Sequence, residues 1–193
     1  MSPVACPNCG KQTASTKVLP KYHYRESGLD TVWLTGGVTE TRCRSCSKTF
    51  IRVWKEAQLL QVIALGLLTV PKSLAGPEWR FLRRACGLTQ AQLASLLKYP
   101  RRETVAEREA KPNPRLSFPE EVGSRWVLVS SFQRHLAKPG NSSLEASQLE
   151  KLWSFAAFFR DFSDTVQSAH ERHRITAVAH GELWTLSENK PAA

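Results

Sequence analysis

The chain has 193 residues, 41% of them hydrophobic, which is enough to bury a core and to form more than one folded unit. It contains no run of about 18 apolar residues, so we expect no membrane span, and the N-terminus has no apolar signal segment, which favours the cytoplasm. The formal net charge of +10 favours an anionic partner such as nucleic acid, although charge alone is a weak argument.

Two C-x-x-C pairs lie near the N-terminus, Cys6 with Cys9 and Cys43 with Cys46. Each pair can bind one ion, and together they complete a tetrahedral sulfur shell with no open position for water. The sequence therefore predicts one structural Zn(II) per chain. Two disulfides are the alternative, which a reducing cytoplasm disfavours. The fifth cysteine, Cys86, is predicted to be a small core residue on a helix.

The order of patterns predicts an α+β protein that is mainly α, with a β-rich zinc ribbon-like module at its N-terminus. The module contains strand-like runs at 18–24, 30–34 and 38–42, with turns at Gly28 and at Gly36 and Gly37. Helical patterns follow at 54–68, at 78–85, from Thr89 as an N-cap with Leu93 and Ala94 on the packed face, and at 102–110 with Val105 facing inward. The predicted units are a zinc-binding module (1–52), a connector helix and linker (53–76), a helix-turn-helix (77–115) and a helical C-terminal region (116–193).

The C-terminal region carries an apolar stripe that needs a partner. Ser142 and Glu145 form a predicted capping box, and apolar residues continue at helical spacing through residue 172. The stripe packs either on a helix over 124–136, through Trp126, Val129 and Phe132, or on a second copy in a homodimer. His170 and His173 are predicted to be exposed rather than metal ligands. Runs at 175–179 and 182–186 predict a β-hairpin that extends the zinc-module sheet or pairs across a dimer.

The stretch from Trp79 to Leu97, centred on Leu88-Thr-Gln-Ala-Gln-Leu-Ala and followed by 103–109, resembles the Xre/Cro helix-turn-helix class. With the two cysteine pairs in front, residues 1–115 resemble the MqsA-type antitoxin family, also called YgiT-type zinc-finger regulators. In that family the zinc domain is linked to toxin binding, while the helical domain dimerises and binds the promoter of its own operon. The resemblance therefore implies double-stranded DNA, a homodimer and a toxin protein as partners.

The chain departs from the family pattern in its turn, its reading helix and its long tail after Leu116. The turn has one residue more than usual, and Glu103 and Glu107 stand where some members carry base-reading Asn and Arg. A glutamate can accept a hydrogen bond from the cytosine amino group, while arginine favours guanine. Arg83 and Arg84 are further predicted phosphate contacts. The predicted DNA-binding residues are Gln90, Arg101, Arg102, Glu103, Thr104, Glu107, Arg108 and Lys111.

Several of these residues have a second interpretation. Gln90 can be an ordinary surface residue, Arg101 and Arg102 can be solvated charges, and Arg108 can be structural or pair with an acidic residue of the tail.

The sequence favours a zinc-dependent, sequence-specific DNA-binding repressor that regulates its own operon and neutralises a toxin. The alternative is a protein-interaction module, in which the zinc domain and the C-terminal region bind a protein and the helix-turn-helix does not read DNA. No enzyme is expected, because the sequence has no phosphate loop or nucleophile motif, and a closed sulfur shell cannot activate water.

Overall fold

The computed structural model describes residues 4–69, 73–112, 116–153, 174–181 and 183–187. Within them the chain is a mixed α+β protein: strands at the N-terminus, helices in the middle and a hairpin at the C-terminus. The predicted helical stripe beyond residue 153, including His170 and His173, lies outside the described residues.

One five-stranded sheet gathers strands from both ends of the chain. β2 is the central strand and pairs antiparallel with β1 on one side. On its other side it pairs antiparallel with β3 and parallel with β4, and β4 pairs antiparallel with β5. The predicted C-terminal hairpin therefore extends the N-terminal sheet, one of its two expected placements. The strands are β1 (Ala14–His23), β2 (Val32–Cys43), β3 (Thr49–Val53), β4 (Ile175–His180) and β5 (Leu183–Leu186).

The turn predicted at Gly36 and Gly37 is instead an irregularity inside β2. Both glycines have positive φ angles, +72° and +63°, and the strand continues on either side. A Cβ atom on Gly37 would lie 2.6 Å from the ring of Trp184 in β5. The glycines therefore allow β2 to kink while the C-terminal hairpin packs closely against it.

Six helices are described, most of them within a few residues of their predicted bounds. Thr89 caps α3 as predicted, since its hydroxyl accepts from the backbone N–H of Gln92. The helices are α1 (Glu56–Thr69), α2 (Gly76–Ala85), α3 (Gln90–Leu96), α4 (Glu103–Ala110), α5 (Phe118–Leu136) and α6 (Ala146–Trp153). Among the described segments, no helix combines the length and the apolar character that crossing a membrane requires.

The predicted capping box at Ser142 and Glu145 is wrong. α6 begins at Ala146, and the side chain of Gln148 accepts from the backbone N–H of Glu145. The segment before α6 instead binds α1, where Gln58 donates to the carbonyl of Ser143 at 2.8 Å. These contacts with α1 hold the loop in a conformation that a local pattern does not reveal.

A continuous hydrophobic core joins the inner face of the sheet to the helices. It contains Val32 and Leu34 of β2, most of α1, and Trp79 and Leu82 of α2. Val129 and Phe132 of α5 are buried in it as expected, whereas Trp126, grouped with them in one of the two predicted packings, is 58% exposed. Cys86 is buried, as predicted, and burial raises the pKa of its thiol to about 12.

A buried ion pair fastens α5 to the end of α1. Glu121 and Arg125 lie 3.1 Å apart on successive turns of α5, and both side chains are almost fully buried. Arg125 also donates to the carbonyls of Leu67 and Leu68 at 3.0 and 3.1 Å, which lie in the last turn of α1. Burial raises the pKa of Glu121, although the charge of Arg125 opposes that shift.

Gly76 is the residue whose substitution should disturb the helical packing most directly. A Cβ atom there would lie 2.1 Å from the carbonyl oxygen of Lys111 and 2.5 Å from that of Arg108. We expect Gly76→Ala to lower the free energy of unfolding by about 3 kcal/mol, because the obstacles are backbone atoms that cannot rotate away. Gly123→Ala is the matched control: that helical glycine has open space around it and should gain about 0.5 to 1 kcal/mol. Urea unfolding curves of both variants measure the difference, and equal stabilities would refute the expected clash.

Candidate functional site

The four predicted zinc ligands meet at one end of the sheet. Their Sγ atoms all lie within 4.8 Å of one another. The Sγ atoms of Cys6 and Cys46 are 3.7 Å apart, as are those of Cys9 and Cys43. Four sulfurs at about 2.3 Å from a central zinc would lie about 3.8 Å from each other. The cluster therefore has the dimensions of a tetrahedral zinc site.

Two tight turns bring the thiols together. In the first, the N–H of Gly10 donates to the carbonyl of Cys6 at 2.9 Å, and Gly10 has a φ of +70° that suits glycine. In the second, the N–H of Cys43 donates to the carbonyl of Lys48 at 3.0 Å. Cys6 and Cys43 are buried, with Ala14 between the two turns. The metal site thus forms a small core of its own.

The groups around the sulfurs favour thiolate at one position. The hydroxyl of Thr13 lies 3.4 Å from the Sγ of Cys43, and with backbone N–H groups it lowers the pKa of Cys43 to about 6. A backbone hydrogen bond from Lys11 lowers the pKa of Cys9, but burial and the neighbouring thiols raise it to about 11. A thiolate is the form that binds a metal, so zinc binding displaces the protons that the cluster still carries.

The four cysteines fit zinc and do not fit two disulfides. All five cysteines of the chain are free thiols. The 3.7 Å separations are well beyond the roughly 2.05 Å of an S–S bond. Four sulfurs with no nitrogen or oxygen donor form the soft, closed set that zinc takes in structural sites. The cluster can hold one metal ion, and its chemistry indicates zinc.

A second candidate site lies in the helices α2, α3 and α4. Leu93 and Ala94 of α3 and Val105 of α4 are buried, so the two helices pack with one face each on the core, as predicted. The turn between them includes Lys98 at a φ of +59° and a hydrogen bond from the N–H of Tyr99 to the carbonyl of Ala94. α3, this turn and α4 are the segment for which the sequence predicts a helix-turn-helix, and α4 presents its opposite face outward.

Glu109 holds the three helices together. Its carboxylate accepts two hydrogen bonds from Arg83 of α2, at 2.5 and 3.1 Å, and one from Gln90 of α3 at 2.9 Å. Arg83 also donates to the carbonyl of Leu88 at 2.8 Å and is buried. Its guanidinium is therefore already bound inside the protein, which disfavours the predicted phosphate contact, and that contact stays a prediction.

The predicted DNA-binding residues are divided between the surface and the interior. Gln90 and Thr104 are partly exposed, and Gln90 binds Glu109. Arg102 pairs with Glu103 at 3.1 Å, and that ion pair is open to solvent. Arg101, Arg102, Glu103, Glu107 and Lys111 are exposed.

The contacts of Arg108 support its second interpretation, in which it is structural and pairs with an acidic residue of the tail. Its side chain is only 13% exposed and forms an ion pair with Glu120 of α5 at 3.1 Å. Its guanidinium also lies over the ring of Tyr99, at 4.6 Å, and near that of Trp79, at 5.8 Å. Arg108 thus connects α4 to α5 and to the turn before it.

Arg80 is a residue of this region that the sequence patterns did not identify. It lines a hollow of about 530 Å³ at the start of α3, together with Arg84, Gln90 and Arg102. Arg80 and Arg84 lie four residues apart on the outer side of α2. Since Arg84 was predicted as a phosphate contact, the spacing of a helix could have identified Arg80 as its neighbour. The hollow places four arginines around one concave surface, Arg80, Arg83, Arg84 and Arg102, with Glu109 at its base.

Comparison of the chain with protein-family models, with curated proteins and with solved structures found no match. The similarity to the MqsA-type family rests on the cysteine spacing and the helix-turn-helix residues. Family membership stays a prediction, and the four-cysteine metal site is the feature that the structure supports directly.

Proposed function

We propose that the protein is a zinc-binding, sequence-specific DNA-binding repressor that acts as a homodimer. The observation that carries the proposal is the outer face of α4, where Arg101, Arg102 and Glu103 are exposed at the start of the helix. In helix-turn-helix proteins the N-terminal residues of the second helix contact base edges in the major groove. The basic hollow beside them supplies guanidinium groups for the DNA backbone.

The zinc centre has a structural role in this proposal. A closed four-sulfur shell has no position for an activated water, so we assign no catalytic role to the chain. The resemblance to MqsA-type antitoxins extends the proposal to repression of the protein's own operon and to binding of a toxin through the zinc module. Co-purification of the zinc-loaded protein with a small ribonuclease encoded beside its gene would support the toxin; its absence would leave a lone regulator.

Selection of bound sequences from a random duplex pool tests the proposal. An enriched inverted repeat with half-sites about one helical turn apart would support a dimeric repressor. Sequence-blind binding that disappears as salt rises would refute it and favour the protein-interaction alternative, which Glu103 and Glu107 on the reading helix support.

Arg102 is the residue whose removal best separates base reading from charge. We expect Arg102→Ala to weaken binding to the selected duplex by about 1 to 3 kcal/mol while changing binding to random duplex little. Lys138→Ala removes one exposed positive charge at the end of α5 and is the control. Fluorescence anisotropy at one salt concentration measures both variants, and an equal loss on random DNA would make Arg102 a phosphate contact.

A further inference from the structure

The outer face of the five-stranded sheet has no role in the function proposed above. α1 packs against β4 and β5 from the other side, where Val32, Leu34 and Ala177 enter the core. Residues paired across neighbouring strands share a face, so the register defines which side chains point outward. Beyond the metal cluster, every described outward position is exposed or partly exposed.

Aromatic rings lie on this face at both ends. His23 and Trp33 are opposite each other on β1 and β2, and their rings stack with centroids 4.5 Å apart and planes 5° from parallel. Phe50 of β3 lies at the other end, beside the cysteine cluster. Flat rings on a sheet are surfaces on which nucleobases stack, because every base has a π face.

Cations surround the rings. The Nζ of Lys21 lies 4.9 Å from the centre of the Trp33 ring, and the guanidinium of Arg174 lies 5.3 Å from it. Arg52, opposite Thr39, is exposed between Trp33 and the metal cluster. None of the outward strand positions that the structure describes carries a carboxylate, whereas Glu40 belongs to the opposite face, where it pairs with Lys17. Lys21 and Arg52 therefore give the face positive charge at exposed positions.

A hollow of about 570 Å³ lies in the middle of the face, where the two glycines kink β2. It is lined by Val18, Thr39 and Arg52, with Gly37, Trp54 and Ala179 beside them. Val18 is 68% exposed, so its side chain adds apolar surface to the hollow. The hollow combines an apolar floor with a guanidinium group, which suits a flat base attached to a phosphate.

Hydroxyl groups complete the surface. Six threonines occupy outward positions across four strands, and hydroxyls can both donate to and accept from the 2′-hydroxyl that distinguishes RNA from DNA. They are Thr16, Thr35, Thr39, Thr41, Thr176 and Thr185.

We propose that this outer sheet face, from the stacked rings of His23 and Trp33 past Arg52 to Phe50, binds single-stranded RNA. Charge complementarity selects an anionic partner, and the stacked rings favour bases over an acidic peptide, whose carboxylates would need the cations but not the aromatic surface. The face is separate from the helix-turn-helix, so this binding does not depend on reading of duplex DNA.

Anisotropy of a labelled 12-nucleotide oligouridine with the full-length, zinc-loaded protein tests the proposal. The variant Lys21→Ala with Arg52→Ala should weaken binding about tenfold or more, since it removes two cations from the face. The matched control, Lys17→Ala with Arg42→Ala, removes the same charge from exposed positions on the opposite face and should change binding less than about twofold. Trp33→Leu should weaken binding about 5- to 150-fold through lost stacking.

Each other outcome decides against the proposal. No measurable binding of oligouridine, or an equal loss in the two double variants, would show that the face is not the binding surface. Binding of an oligothymidine of the same length with equal affinity would show that the hydroxyls do not select RNA. Equally effective competition by poly-glutamate would indicate an acidic protein partner instead. The double variant Lys21→Ala with Arg52→Ala should bind the selected duplex as the unaltered protein does. A failure of the RNA proposal can then be distinguished from a failure of the DNA proposal.

Discussion

Cys43→Ser should abolish stable metal binding and unfold the N-terminal turns. The variant removes one of four thiols whose Sγ atoms lie within 4.8 Å of one another, so only three sulfur ligands remain. Structural zinc sites contribute about 10 to 16 kcal/mol of apparent binding energy in small peptides at neutral pH, most of which is lost with an incomplete shell. We expect about one zinc per chain in the unaltered protein and almost none in the variant after dialysis against a chelator.

The loss should remain local, because the metal centre has its own small core. Cys6, Ala14 and Cys43 form a buried cluster separate from the main one, which contains the helices. Circular dichroism should therefore show a retained helical signal and a cooperative thermal transition. Cys86→Ala is the control, since it removes a buried thiol outside the cluster and should retain one zinc. Full zinc content in Cys43→Ser, measured by mass spectrometry of the metal, would refute the ligand assignment.

The features that the sequence predicted correctly depend on neighbours in the chain. Two residues between cysteines bring both thiols to one ion, and Thr89 ahead of Gln92 caps α3 through a hydrogen bond within one turn. The buried positions of Leu93 and Val105 follow from the spacing of a helix with one apolar face. Each of these signals lies within a few residues of the structure that it predicts.

The features that were missed depend on residues far apart in sequence. Gly36 and Gly37 have the composition of a turn, yet β2 continues through them because Trp184 packs against the strand there. Ser142 has the pattern of a cap, but Gln58 and Gln61 of α1 bind the loop that contains it. Tertiary contacts of this kind override local preference, and the spacing of apolar residues along the chain does not predict them.

Arg83 is a predicted functional residue whose contact with a distant residue could not be predicted from the sequence. An arginine on α2 of a basic protein is a residue type that suggests a phosphate contact. Only the fold shows that Glu109 lies opposite it. The count of 27 lysines and arginines therefore overstates the cations available to an anionic partner, although a buried neutral pair leaves the net charge of +10 unchanged. Arg125 is a second case, because it is fully buried beside Glu121.

Glu109→Gln should destabilise the helix-turn-helix, because it removes the carboxylate that joins α2, α3 and α4. The carboxylate accepts from Arg83 and Gln90, and a glutamine would keep the shape but lose the charge that balances the buried guanidinium. Breaking a buried pair by removing one partner costs about 3 to 5 kcal/mol, because the other charge stays in the interior. For a chain of this size each kcal/mol lowers the melting temperature by about 2 to 4 °C.

Glu107→Gln is a close control for this change. It makes the same substitution two residues earlier on the same helix, but Glu107 is exposed, so its effect should stay within about 0.5 kcal/mol. Calorimetry of both variants gives the difference, and equal melting temperatures would show that the pair of Arg83 with Glu109 does not support the fold.

Because that pair joins α2 to α4, Glu109→Gln should also weaken binding to the selected duplex, although Glu109 itself is buried. Joining Arg83→Met to Glu109→Leu should recover stability relative to Glu109→Gln, since no unpaired charge then remains in the interior.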